Sequence, residues 1–241
     1  MNHASSLLAL LILGFAAAPL TAGTPEGRRD APKQDKQEKK KEPAKPSDKK
    51  PVDAAAKPSA IGLELDPATS LVDSTGKVHT FKQYRGRIVV IECWSTSGAR
   101  SPQATRLSKI AKDYAAKNVT VLAIDPVPGE STDPKGVQDV LKKCGAAFPV
   151  LLDEGAILAE RLGASALDQV FVLDGKGIVR YAGAIDDDPK GEKAEKAEVF
   201  LTTALDALAE GKEVASPTTT PNGGALRLPK RKPAASTGGK R

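Results

Sequence analysis

The 241-residue chain is short of the residues that carry most redox, metal and nucleophilic chemistry, with 2 Cys, 2 His, 1 Trp and only 4% aromatics. Two cysteines exclude a disulfide-dense scaffold, and together with two histidines they exclude a Cys/His-rich metal centre. No Cys-x-x-Cys occurs, since Cys93 and Cys144 stand about fifty positions apart. No Gly-rich phosphate loop is present, and Asp186-Asp187-Asp188 lacks the spaced ligands and glycine of a calcium loop. No cofactor and no metal are expected. Three segments lack something more specific. Residues 1–22 have no Lys, Arg, Asp or Glu, residues 23–60 have no aromatic, Leu or Ile, and residues 216–241 have no acid.

Those local absences divide the formal net charge of +6. Residues 23–60 carry +4, residues 61–215 carry −4, and residues 216–241 carry +6. The basic excess therefore belongs to the flanks, and no nucleic acid is expected as a partner. Residues 1–22 read as a secretory signal, with an apolar run over 7–18 and then Pro19-Leu20-Thr21-Ala22 before Gly23. That run is too short to span a bilayer comfortably. Cleavage near Ala22 and a periplasmic or secreted location are expected. Residues 23–60, with six prolines and clustered lysines, cannot bury enough apolar surface to order themselves and are expected to be a disordered linker. Residues 216–241, with Pro229-Lys230-Arg231-Lys232-Pro233, are expected to be a disordered basic tail. Weak contact with anionic envelope material is the interaction such flanks can make.

Residues 61–215 alternate apolar runs with helix-period segments, the pattern of an α/β domain. A hairpin is expected around Asp73-Ser74-Thr75-Gly76, with His79 on its surface. Residues 87–94 form a nearly continuous apolar run, as in a central strand covered on both faces. A helix follows, with Ser101 as its cap and Pro102 at its first position. A strand is expected over 119–124, a helix from Pro134 to Gly145, a strand over 150–152 and a short helix over 156–162. A second hairpin is expected around Asp174-Gly175-Lys176-Gly177, then a last helix over about 192–210 whose charged start Asp186-Asp187-Asp188 caps.

This order, with Gly86-Arg-Ile-Val-Val-Ile-Glu-Cys-Trp-Ser-Thr96, Ala147-Phe-Pro-Val-Leu-Leu-Asp153 and Val170-Phe-Val-Leu-Asp-Gly-Lys-Gly-Ile-Val-Arg-Tyr-Ala-Gly183, resembles the redoxin branch of the thioredoxin-like superfamily. That branch includes envelope thiol-disulfide oxidoreductases and the alkyl hydroperoxide reductase/thiol-specific antioxidant proteins. The resemblance implies a thioredoxin-like fold with a mixed central sheet flanked by helices and preceded by a hairpin. It also implies a Cys-x-x-Cys opening the helix after the central strand, where a helix N-terminus lowers a thiol's pKa. Here the two positions are Gly98 and Ser101, so both thiols are missing. The family's cis-Pro, which lines the substrate groove, is replaced by Asp168. A further Gly-Cys found in the tail of some relatives is Gly223-Gly224 here.

Cys93, in the strand run, and Cys144, completing a helix face, read as buried small hydrophobes or as a pair. A disulfide between them would close a loop of about fifty residues and stabilise by about 4 kcal/mol in the chain-entropy model. Ser95, Thr96, Ser97 and Ser101 crowd the vacated loop, but a hydroxyl nucleophile needs a base, and His79 is the single His after residue 22. Arg100 is read as an exposed side chain or an anion contact. The expectation is a redox-inactive binding or structural module of the cell envelope. It would contact a protein or peptide through the altered groove near Trp94, Gly98, Ser101 and Asp168. The enzymatic alternative is a thiol-disulfide oxidoreductase or peroxide-reducing protein with its working thiol relocated to Cys93 or Cys144.

Overall fold

The computed structural model describes residues 60–98, 102–146, 148–193 and 196–229. The expected signal segment, the linker through residue 59, Ser101 and the end of the tail lie outside the described residues. Within them a seven-stranded mixed sheet has the order β2-β1-β5-β4-β3-β6-β7. Its strands are β1 (Ser70–Asp73), β2 (Val78–Thr80), β3 (Ile88–Cys93), β4 (Val119–Asp125), β5 (Val150–Leu152), β6 (Val170–Leu173) and β7 (Val179–Gly183). The helices are α1 (Pro102–Asp113), α2 (Pro134–Cys144), α3 (Ile157–Arg161) and α4 (Phe200–Ala209).

The apolar run of β3 places it centrally, parallel to β4 and antiparallel to β6. Side-chain alternation along it divides two cores. Val90 and Trp94 join α1, α2 and α4 through Leu107, Val137 and Leu201. Val89, Ile91 and Cys93 join Phe81, Phe171 and the α3 residues Leu158 and Ala159. Glu92 takes its place between Val90 and Trp94 on the first face. The ends of α2 follow local chemistry: the Asp133 side chain accepts the Gly136 N–H at 3.0 Å, and Gly145, at φ 66°, donates its N–H to Leu141 O.

Three expectations are corrected. The last helix begins at Phe200, not near 192. Asp186, Asp187 and Asp188 do not cap it. The Asp188 carboxylate accepts the Glu192 and Lys193 N–H groups, and that of Asp187 accepts the Glu198 N–H, so side chains take the donors that helix would have organised. Arg106 of α1 clamps this loop through the Asp186 carboxylate and the Asp188 carbonyl.

The tail is not disordered throughout, because residues 216–229 lie along the domain. Ala182 N–H donates to Pro217 O at 2.9 Å and Leu226 N–H to Ser165 O at 2.9 Å. The sequence hid this because Leu226 and Leu228 are its only large apolar residues and they pack on a core built elsewhere.

His79 is 4% exposed rather than on the surface. Its Nε2 lies 2.8 Å from Asp73 Oδ2 and its Nδ1 2.5 Å from Tyr84 Oη, a chain that ties the hairpin to the turn after it. His79→Ala leaves buried polar atoms unpaired and is expected to lower stability by about 1–3 kcal/mol in urea titration. An unchanged midpoint would show that the chain carries no load.

The cysteines follow the first of their two readings, with no bond between them. Both are free thiols. They lie in different cores, Cys93 in the second and Cys144 packed half-buried against the first, so the sheet separates them.

Candidate functional site

The residues in question gather where β3 runs out. Trp94 is 1% exposed and belongs to the core, so it supports this surface from beneath and offers no face to a partner. The loop beyond it is held by its own polar groups. Ser95 Oγ accepts the Gly98 N–H at 3.0 Å and lies 2.9 Å from Ser97 Oγ. The Thr96 N–H donates to Glu130 Oε2 at 2.6 Å, which ties the loop after β4 over the loop after β3. Ser97 is exposed, and Thr96 and Gly98 are half-buried. Arg100 and Ser101 lie outside the described residues.

Asp168 forms the opposite wall. It adopts φ 57°, a left-handed conformation rare for residues with a Cβ. Its N–H donates to Cys93 O at 2.8 Å, while the Cys93 N–H donates to Gln169 O at 2.8 Å. Two residues of one strand thus oppose one of the other, a bulge whose first member is left-handed. The bulge turns the carboxylate towards Gly98: a Cβ at position 98 would lie 3.4 Å from Asp168 Oδ1 and 3.2 Å from Ser95 Oγ. The structure thus brings Gly98 and Asp168 together.

Beneath them is a group of acids that the sequence reading did not single out. Glu92 is 0% exposed, and neither carboxylate oxygen has a hydrogen-bond partner among the described residues. Burial, and secondarily the charge of Asp168, push its pKa up to about 8. Burial raises Asp168 itself to about 6. At the end of β4, burial raises Asp125 to about 7 against the Val127 N–H that its Oδ1 accepts, with the charges of Glu130 and Asp153 adding to the rise. Trp94 Nε1 and both polar atoms of the buried Gln103 also lack partners among the described residues. The signal for Glu92 was present as a single acid in the apolar run of β3. Asp125 and Gln103 carried no such signal.

Cys93, which the enzymatic alternative would need as its thiol, is 0% exposed. Burial foremost, then the charges of Glu92, Asp153 and Asp168, raise its pKa far above neutrality, which disfavours the thiolate that attacks disulfides or peroxides. Cys144 Sγ–H donates to Leu141 O at 3.4 Å, at the end of α2. Among the described residues no group of three His, Cys, Asp or Glu is placed to hold a metal ion. The arrangement can present a partly open, acid-walled surface at residues 96–98 and 168.

A family model described as Redoxin matches residues 60–199. A solved hypothetical protein from Sinorhizobium meliloti 1021 is 25% identical and superposes with a TM-score of 0.57, covering 67% of this chain and 91% of that one. An uncharacterized conserved protein from Geobacillus kaustophilus is 21% identical with a TM-score of 0.56, covering 71% and 95%. A putative thioredoxin from Neisseria meningitidis is 26% identical with a TM-score of 0.43, covering 49% and 77%. No curated protein matches the chain.

Proposed function

The chain belongs to the redoxin family and has its thioredoxin-like fold, and from that premise we propose that it is an exported member without cysteine catalysis, acting as a binding module in the cell envelope. One observation carries this reading: at the attacking position stands Gly98, with a carboxylate rather than a proline against it. A nucleophilic thiol needs an environment that favours its anion, and this one favours the opposite. The apolar run over 7–18 and the small residues before Gly23 support export. The partner of this reading is a protein or peptide met at residues 96–98 and 168, with the basic flanks adding weak contact to anionic envelope material.

Insulin reduction and peroxide consumption by the purified mature protein test the chemistry. No turnover above buffer is expected in either assay. Clear activity that disappears in Cys93→Ser or Cys144→Ser would replace this reading with the relocated-thiol enzyme. N-terminal sequencing of protein recovered from the envelope is expected to begin near Gly23, and a chain beginning at Met1 in the cytosolic fraction would overturn export.

A further inference from the structure

Residues 217–228 make an unusual use of glycine. Gly183 in β7 and Gly223 have no positive φ, so neither is glycine for conformational reasons. Each is glycine because another part of the chain lies where its Cβ would be. A Cβ on Gly183 would fall 2.1 Å from Thr219 Oγ1 and 2.8 Å from the Thr219 backbone nitrogen, and one on Gly223 would fall 1.8 Å from Leu167 O and 3.3 Å from Asp168 Cβ. Real Cβ atoms essentially never come within 3.0 Å of another heavy atom in this way, as these two would at Thr219 and Leu167 O. Gly224 beside it has open space around it. The sequence is therefore fitted at two separate points to a strap lying against the domain.

The strap first covers the outer edge of β7, where Ala182 N–H donates to Pro217 O and Thr219 N–H donates to Ala182 O at 3.2 Å. Thr219 is its staple. Its Oγ1 accepts the Ala184 N–H at 2.9 Å and lies 2.6 Å from Tyr181 Oη, whose own proton goes to Ala184 O. Asn222 Nδ2 donates to Asp186 O. The strap then pairs antiparallel with the segment leading into Asp168: Leu167 N–H donates to Gly224 O at 2.8 Å, Ala166 faces Ala225, and Leu226 N–H donates to Ser165 O. Leu226 and Leu228 rest on the second core. Asp168 is thus flanked by Gly98 on one side and by Gly223 on the other.

We propose that this strap is a ligand in cis, occupying a main-chain edge at 165–167 that otherwise takes an extended peptide of another polypeptide. The partner's chemistry is written in the strap: three small residues to allow close approach to Leu167 O, then apolar residues at alternate positions for the sites of Leu226 and Leu228. Strand addition of this kind draws its affinity from main-chain hydrogen bonds and its specificity from alternate side-chain pockets. The strap is suited to displacement, because residues 223–228 are half-buried or exposed and a pair of glycines loses much freedom on ordering. A partner's apparent affinity is then set by the fraction of molecules with the strap open. The proposal rests on the binding-module reading and names its partner class.

The probe is a fluorescent synthetic peptide of residues 219–229, titrated against the full chain and its variants, with hydrogen exchange at residues 166–168 read in parallel. Gly223→Val cannot close the strap and is expected to bind the peptide at least about tenfold more tightly than the native chain, with faster exchange at 166–168. Thr219→Val, which removes the staple without a clash at Leu167, is expected to shift both readouts the same way by a smaller factor, and it carries the test if Gly223→Val fails to fold. Gly224→Ala is expected to leave both unchanged. Native-like exchange and no gain in peptide binding in both folded strap variants would overturn the proposal. Neither readout involves thiol chemistry. Insulin or peroxide turnover would therefore remove the binding-module reading without touching the strap, and failure of the peptide to bind would remove the strap proposal alone.

Discussion

Glu92→Gln stabilises the protein at pH 9 by roughly 4 kcal/mol while changing stability little at pH 5, as read from urea or guanidinium titrations at each pH. The sign follows from the direction of the pKa. The ordinary value of 4.5 is raised to about 8 in the folded protein because Glu92 is fully buried, without partners among the described residues, and faces the charge of Asp168. Below pH 4.5 the carboxyl is protonated in both states, and stability is highest. Between pH 4.5 and 8 the unfolded chain releases a proton that the folded one retains, so stability falls by about 1.4 kcal/mol per pH unit. Above pH 8 this loss is complete. Asp125, raised to about 7, and Asp168, raised to about 6, act in the same direction over narrower windows. The wild-type protein is therefore more stable in mild acid than in mild alkali, and the Gln variant, isosteric and uncharged, flattens the curve. Parallel curves for the two proteins would show that Glu92 ionises in the fold at no cost, with its charge met by solvent or a partner.

The second large effect concerns the site's lost chemistry. Gly98→Cys with Ser101→Cys restores the family's thiols at the spacing given by the sequence, yet insulin reduction by that double variant is expected to stay weak. The new Cβ lies 3.4 Å from the Asp168 carboxylate, and a like charge at that range raises a thiol's pKa and empties its thiolate. Adding Asp168→Asn removes the charge and is expected to speed insulin reduction at pH 7 at least about tenfold over the double variant, with the thiol titrating at lower pH by iodoacetamide labelling. Equal rates in the two variants would place the obstacle elsewhere in the groove. The comparison separates loss of the nucleophile from loss of the surroundings that activate one.

Much of the fold was legible locally. The apolar run of β3, the Asp133-Pro134 start and Gly145 stop of α2, and the turn at Asp174-Gly175-Lys176-Gly177 all carry their signals within a few residues, and each formed where expected. The start of α4 was misplaced because three aspartates that suit a helix N-terminus equally suit a loop whose N–H groups they accept. His79 looked like a surface residue because its partners, Asp73 and Tyr84, meet it only after the hairpin closes. Residues 216–229 looked like a tail because their apolar content is too low to order them alone. They are ordered by bonds to β7 and to the segment before Asp168, contacts between residues roughly 35 to 60 positions apart.

For the site, the sequence by itself determined which groups are missing: no thiol at Gly98 or Ser101, no proline at Asp168, and no second histidine after residue 22 to activate a hydroxyl. Composition alone settles these, since an absent side chain has no conformation that supplies it. Only the tertiary structure decided what replaced them. The bulge opposite Cys93 turns Asp168 towards Gly98, the burial of β3 holds Glu92 away from water, and the strap places Gly223 against Leu167. Each of these depends on distant segments meeting at distances of a few ångströms, and the electrostatic and steric effects that define the site act over that range.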